Sequence, residues 1–448
     1  MNKGHLAWLA AALLLAGCSA GNWDDVDPQK GTPLVVDKPG DDGSEGTLRW
    51  AIVKSNADPG KYKIVLTPPA GGELVIKPTA QLPPIVGPAR IEGPWTGNGT
   101  PTVALDGSAW LDMSVRDAAG NPTACPSTRA LHNAGLQVAD SRDVEITGFE
   151  VRNFCTGIMA LRSHDNFIHT MRLVGNLGAA GVLVTGDDGS AAGGSAGNST
   201  HNVLERNQFV GNTGGLDIAR GAARTIVRTS TFVIDGQPAG STAIDIVSSD
   251  DVVLEGNRIE GYATGVQMGG TGHRLTGNVV RANGNGVLQP AGSGGINTLS
   301  ENTIYANAQI NLGLNGTGLP IPNDEASACS DRFPDCTLPQ NHPVLAGSVF
   351  ESAGFLVKGT LSSRPGAKFS IEVFASHAAG VNGLGEGEVF LGKVEVTSDA
   401  NGAASFQFRS TTDPLKDGTR NVYFTATATR ASNGATSEFS GPQLVQRP

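Results

Sequence analysis

Between Leu136 and Leu312 the same short pattern returns about every 22 residues, and this return limits the possible folds more than any other feature of the chain. Each pass opens with three residues: apolar, variable, then usually apolar. The units are Leu136-Gln137-Val138, Ile158-Met159-Ala160, Val182-Leu183-Val184, Leu216-Asp217-Ile218, Ile244-Asp245-Ile246, Val266-Gln267-Met268, Val287-Leu288-Gln289 and Ile310-Asn311-Leu312. Their first residues lie 22, 24, 34, 28, 22, 21 and 23 apart. A second apolar strand follows in each pass, as in Val144-Glu145-Ile146 and Val253-Leu254. A third follows a small or polar turn residue, as in Asn207-Gln208-Phe209, Asn257-Arg258-Ile259 and Asn302-Thr303-Ile304.

Alternation along a strand sends the outer two side chains of a unit one way and the middle one the other. The outer pair is apolar and must face a core that one pass cannot close alone. Stacked passes can close it, at a strand spacing of about 4.8 Å. A leucine-rich repeat has a similar period but needs an L-x-x-L-x-L-x-x-N pattern, which is absent. The recurring turn asparagines tolerate left-handed backbone angles and can bond their counterparts in adjacent passes. The reading is an all-β chain: a parallel β-helix of about eight coils with irregular turns before it.

These rungs resemble the right-handed parallel β-helix proteins of the pectate-lyase-like superfamily. Gly46-Thr47-Leu48-Arg49-Trp50-Ala51-Ile52 is similar to the G-[ST]-L-R-x-A-I motif that opens many secreted bacterial members. Gly402-Ala403-Ala404-Ser405-Phe406, Ala426-Thr427-Ala428-Thr429 and Thr436-Ser437-Glu438-Phe439-Ser440 resemble the β-sandwich often appended to them. The resemblance implies architecture. It leaves activity open among lyases, hydrolases, epimerases and adhesins.

The ends of the chain read differently from its middle. Residues 1–18 form an export signal: Lys3, the apolar run Leu6 to Leu15, then Leu15-Ala16-Gly17-Cys18. That ending resembles the bacterial lipoprotein box. It implies lipidation of Cys18 and anchorage in membrane lipid, with Ser19 pointing to the outer membrane of the cell envelope. Residues 19–40 are polar and proline-bearing and read as a tether. Residues 41–135 read as an N-terminal cap and first irregular coils, with Thr47–Asn56 a helix laid across the open apolar end. The β-helix proper runs over 136–318, a linker over 319–343 and a sandwich over 344–448, where alternation lengthens and Asn401-Gly402 and Asn433-Gly434 predict hairpin turns.

Cys125, Cys155, Cys329 and Cys336 remain after export to an oxidising compartment, and an even count suggests bridges. The short loop favours Cys329 with Cys336, leaving Cys125 with Cys155. Net charge is −10 with no basic block, so nucleic acid is not an expected partner. Lysine is absent between Pro78 and Val357, where every fixed cation is arginine. Arginine suits planar contacts with carboxylates, or reflects only a GC-rich genome.

The outward column of middle residues runs Gln137, Met159, Leu183, Asp217, Asp245, Gln267, Leu288, Asn311. Its only charged members are two acids on consecutive rungs. Stacked carboxylates repel, and one holds its proton unless a cation relieves them. Arg220 is the expected partner. As catalytic groups, Asp217 and Asp245 would serve a glycoside hydrolase as acid and base or nucleophile. By the resemblance to pectate lyases, they would instead hold Ca²⁺ beside a uronate while an arginine takes the proton. As plain surface residues they would be solvated and salt-bridged to Arg220 or Arg224. Phe209 and Phe232 read as core rather than as sugar platforms. The first functional reading is a non-enzymatic envelope lipoprotein with a structural or glycan-binding role. The second is a polysaccharide-active enzyme, a uronate lyase before a glycoside hydrolase.

Overall fold

The computed structural model describes residues 27–118, 120–125, 133–187, 197–236, 238–290, 295–314, 323, 340–352 and 354–448. Cys18, Cys329 and Cys336 lie outside them. Three parallel sheets wind around one apolar core. Sheet A has ten strands, from Thr32–Val36 to Thr298–Ser300; sheet B has nine, from Leu74–Ile76 to Thr303–Tyr305; sheet C has eight, from Ala134–Ala139 to Leu312–Gly313. From Ala134–Ala139 onward the strands fall in turn to sheets C, A and B, and register is kept from coil to coil. In sheet C, Ile158, Val182, Leu216, Ile244, Val266 and Val287 stand in one line, all buried. In sheets A and B the middle residue of the three-residue strands points inward, and Phe209 and Phe232 stack inside at 4.3 Å. They are core, as their spacing implied.

The turn asparagines form buried ladders. Asn257 N–H donates to Asn278 Oδ1, and Asn278 N–H donates to Asn302 Oδ1, at 2.9 and 3.0 Å. Asn176 and Asn212 repeat the arrangement at another corner, as do Asn283 and Asn307. The backbone role differs from expectation: the residue before the asparagine usually holds the positive φ, as in Arg206, Gly211, Gly256 and Ala282, with Asn153 the exception among these turn asparagines. The asparagine itself keeps an ordinary conformation and spends its amide on neighbouring coils.

The last rung is shifted. Leu312 pairs with Val287 and Leu288 with Gly313, so the final unit is Leu312-Gly313-Leu314 and Gly313 stands in the outward column. Asn311 instead turns inward and accepts from Asn307 Nδ2 at 2.9 Å. Apolar residues at both 310 and 312 made the two registers look alike.

The N-terminal end is closed by helix Leu48–Ala57. Thr47 caps it by accepting from Trp50 N–H, and Leu48, Ala51 and Ile52 enter the core beside Leu34, Val36 and Ile64. Arg49 fixes the helix to the first coils: it grips Asp41 through Nε and Nη2 at 2.7 and 2.8 Å and donates to the Gln81 carbonyl. Within the stretch read as a tether, Thr32–Val36 is already the first strand, paired with Tyr62–Leu66. The Cys125–Cys155 bridge is present, with Cα atoms 5.4 Å apart.

The C-terminal end is closed by the sandwich. One antiparallel sheet is built on Gly354–Ser362 with Ala403–Ser410, the other on Lys368–Ser376 with Val389–Thr397 and Asn421–Arg430. Phe355, Val357, Val373 and Phe424 fill the space between them. Asn401-Gly402 makes the expected tight turn, but its flanking strands enter different sheets rather than one hairpin. Phe374 and Phe439 reach into the solenoid core, and Ile304 bridges Gly387. Glu372 accepts from Ser300 Oγ and Glu301 N–H, Glu386 from Ala306 N–H and Glu438 from Leu314 N–H. These carboxylates satisfy main-chain donors that an open solenoid end leaves bare. Among the described residues no helix is long and apolar enough to cross a membrane.

Candidate functional site

Strands Gly214–Ala219, Thr242–Val247 and Thr264–Met268 of sheet C place Asp217, Asp245 and Gln267 in direct register on the outward face. Both acids therefore point the same way on consecutive coils, as the alternation required. Neighbouring parallel strands put their Cα atoms about 4.8 Å apart. Asp245 Oδ1 accepts from Gln267 Nε2 at 2.9 Å. Among the described residues no side chain bonds Asp217. Gly214, two positions before Leu216, leaves the space beside it: a Cβ there would lie 3.3 Å from Asp217 Oδ1.

The two acids differ in electrostatics. Burial pushes the Asp217 carboxyl well above the usual carboxylate range, and the neighbouring Asp245 charge pushes it further. Burial also raises Asp245, but the Gln267 amide favours its ionised form and draws it part of the way back. The proton of the pair therefore rests mainly on Asp217.

Arg220 is not the partner expected for Asp217. It sits at the corner after the strand, with φ of 49°, and its Nη1 lies 3.5 Å from Asp187 Oδ2. A left-handed corner turns its side chain out of the Asp217 column. Arg224 lies 3.9 Å from Asp251. Arg220 lies three positions past Asp217, and that closeness in sequence does not survive the corner.

A cleft of about 610 Å³ opens beside Gln267. Val247, Ser248, Asp250, Gly269, Gly270, Thr271 and Pro290 contribute to its walls. It exists because the corner after Thr264–Met268 is Gly269-Gly270-Thr271-Gly272. A Cβ on Gly269 would come within 2.6 Å of the Ile246 carbonyl oxygen, and one on Gly270 within 2.1 Å of the Ser249 oxygen. Arg220 is one coil from the Ser248 wall of this cleft, since Gly221 N–H bonds the Ser248 carbonyl, and two coils from the glycine corner. The sequence placed Gln267 in the outward column without marking it as functional. The glycine run at 269–272 was the signal that a cleft lay next to it.

Two carboxylates and an amide that turns its NH₂ toward one of them do not make a Ca²⁺ shell, which takes six to eight oxygens. Among the described residues no three His, Cys, Asp or Glu side chains converge on a common point.

Residues 119–318 match the sequence family described as periplasmic copper-binding protein (NosD). The described residues do not fit copper: Cys125 and Cys155 are bridged, and no histidine cluster accompanies them. The chain is also 28% identical to 3-dehydroshikimate dehydratase of Acinetobacter baylyi. That alignment of 437 residues covers 83% of this chain and 88% of the other. Among solved structures, an alginate lyase from Paenibacillus sp. shows 16% identity and a TM-score of 0.41, covering 63% of this chain and 99% of that one. The pectate lyase Pel9A shows 13% and 0.39, covering 68% and 82%. These structural likenesses are too slight to assign chemistry.

Proposed function

We propose that this chain is a cell-envelope enzyme that removes water from a small hydroxylated ring carboxylate, with 3-dehydroshikimate the first candidate substrate. The stacked pair Asp217 and Asp245 carries the reading. Elimination needs a base at a carbon beside a carbonyl and an acid at the departing hydroxyl. The environments of the two acids separate their proton affinities in the way that assigns these roles. The Asp245 carboxylate takes the C–H proton, the electron pair becomes the new C=C bond, and the hydroxyl leaves as water with the proton of Asp217. The pair ends with Asp245 protonated and Asp217 ionised, and solvent exchange restores it. Arg220, at the corner one coil from the cleft, would hold the substrate carboxylate.

Two further facts support a small substrate. The cleft lies in the size range of small-molecule sites, and the aromatic rings that could have made sugar platforms are in the core. The similarity to the Acinetobacter dehydratase covers most of the chain. The export signal and the Cys18 box support an envelope location with a lipid anchor. The test incubates purified protein with 3-dehydroshikimate and, separately, with uronate and neutral polysaccharides, following loss of 18 mass units or new chain ends. Water loss from the small ring is the expected result. Cleavage of a polysaccharide would move the assignment to a uronate lyase. Binding without turnover would leave a structural or glycan-binding envelope protein.

A further inference from the structure

The geometry points to Gln267 as the residue that both positions Asp245 and selects the ligand, by accepting a hydrogen bond from a ligand hydroxyl in the cleft. This rests on the site proposed above. The amide has two ends with different employment. Its Nε2 is committed to Asp245 Oδ1 at 2.9 Å. Its Oε1 has no bonding partner among the described residues and is not among the buried polar atoms left without one. Gln267 lines the cleft, so that oxygen is available to a ligand there.

The neighbours in the column restrict what else the amide could do. Below it in register stands Leu288, which offers no hydrogen bond, and above it stands Asp245, which offers only acceptors while ionised. The NH₂ end must therefore face Asp245, and the oxygen is left for a donor that the protein does not supply. A hydroxyl is such a donor; a carboxylate is not. The rest of the cleft agrees. Asp250 accepts the Thr271 N–H at 2.9 Å, so the walls near Gln267 present acceptors to an incoming ligand. A ligand with vicinal hydroxyls fits there, with its own carboxylate directed away from Asp250, toward the Arg220 corner. Gln267 thus ties the hydroxyl that identifies the ligand to the carboxylate that acts on it.

Two substitutions separate the roles. Gln267→Met keeps length and volume but loses both ends of the amide. Gln267→Glu keeps an acceptor for the hydroxyl and loses the donor to Asp245. Dissociation constants are measured by calorimetry for 3-dehydroshikimate and for cyclohexene carboxylate, a ring acid without hydroxyls. The parent should prefer the hydroxylated ring by roughly tenfold or more. Gln267→Met should lose that preference. Gln267→Glu should keep it, with the acidic limb of its pH–rate profile moved to higher pH because Asp245 then faces a second carboxylate. A Gln267→Met protein that still prefers the hydroxylated ring, or a parent with no preference, overturns the inference. Preference without water loss would defeat the dehydratase reading alone and leave Gln267 as the selector of a hydroxylated ligand.

Discussion

Sheets A and B treat outward charge in one way, and sheet C treats it in another. On A and B, carboxylates are stacked on cations of the same or adjacent coils. Asp106 meets Arg152 at 3.0 Å, Glu150 meets Arg152 and Arg172, Glu205 meets Arg228 at 2.7 Å and Glu260 meets Arg281. Glu145 lies between Arg90 and His169. On C the same one-coil spacing puts Asp217 against Asp245, two carboxyl groups with no cation between them, so that ionising both is opposed. Cross-strand pairs of opposite charge stabilise a sheet and like pairs destabilise it, by comparable amounts. A solenoid that places cations so regularly on two faces and omits them on the third is holding an unfavourable pair, joined through Gln267 to the cleft on the next coil. Unfavourable charge of this kind is a common mark of a working site.

The largest effect should come from breaking a stack on sheet B. Glu150 is buried between two arginines, so Glu150→Ala strips Arg172 of its counter-charge and leaves Arg152 with Asp106 alone. Stability in urea should fall by about 3 kcal/mol. A change under a third of that would mean that the outward stacks are decorative.

Next is Gly270→Ala. Corners nearby carry side chains at moderate positive φ, as at Arg220 (49°) and Ser248 (51°), but Gly270 holds φ of 125° with the Ser249 oxygen against its missing Cβ. A loss of about 2 kcal/mol is expected by thermal unfolding. A neutral change would show that the cleft floor adjusts easily and that its shape is not set by this glycine.

Asp217→Asn should act in the opposite sense and raise stability at neutral pH by about 1 kcal/mol, since the folded parent must either hold a proton on Asp217 or accept its charge beside Asp245. The pH dependence sharpens the contrast. Burial raises Glu145, but hydrogen bonds from His169 and Arg90 outweigh it and hold the folded carboxyl below its usual range; Arg281 and Arg258 do the same for Glu260. Their contribution is present above about pH 4.5 and is lost as pH falls through the lowered folded values. Asp217 and Asp245 are raised, so theirs is full below about pH 3.8 and is lost as pH rises through the folded values. The stability gap between Asp217→Asn and the parent should therefore widen with rising pH. A constant gap from pH 4 to 8 would mean that the acids do not repel.

Much of this was legible in the sequence because a solenoid writes its register into the chain. Alternation fixed which residues of Leu216-Asp217-Ile218 and Ile244-Asp245-Ile246 point out, and the capped helix after Thr47 could be read residue by residue. What failed was whatever a corner decides. Arg220 lies near Asp217 in the chain, yet a left-handed φ turns it toward Asp187. The Ile310-Asn311-Leu312 triplet carried the right alternation two residues out of place. Gln267 looked like one more neutral outward residue, because its value lies in an amide orientation set by Asp245 and in a cleft made by the glycines after it.

The most direct test of the like-charge pair as working chemistry is one paired measurement on Asp217→Asn: its unfolding temperature and its rate of water loss from 3-dehydroshikimate, both at neutral pH. The account predicts a protein at least as stable as the parent whose rate is lower by a hundredfold or more, the usual scale of a lost general acid. A variant that turns over like the parent, or one that loses activity only because it has lost its fold, would contradict it.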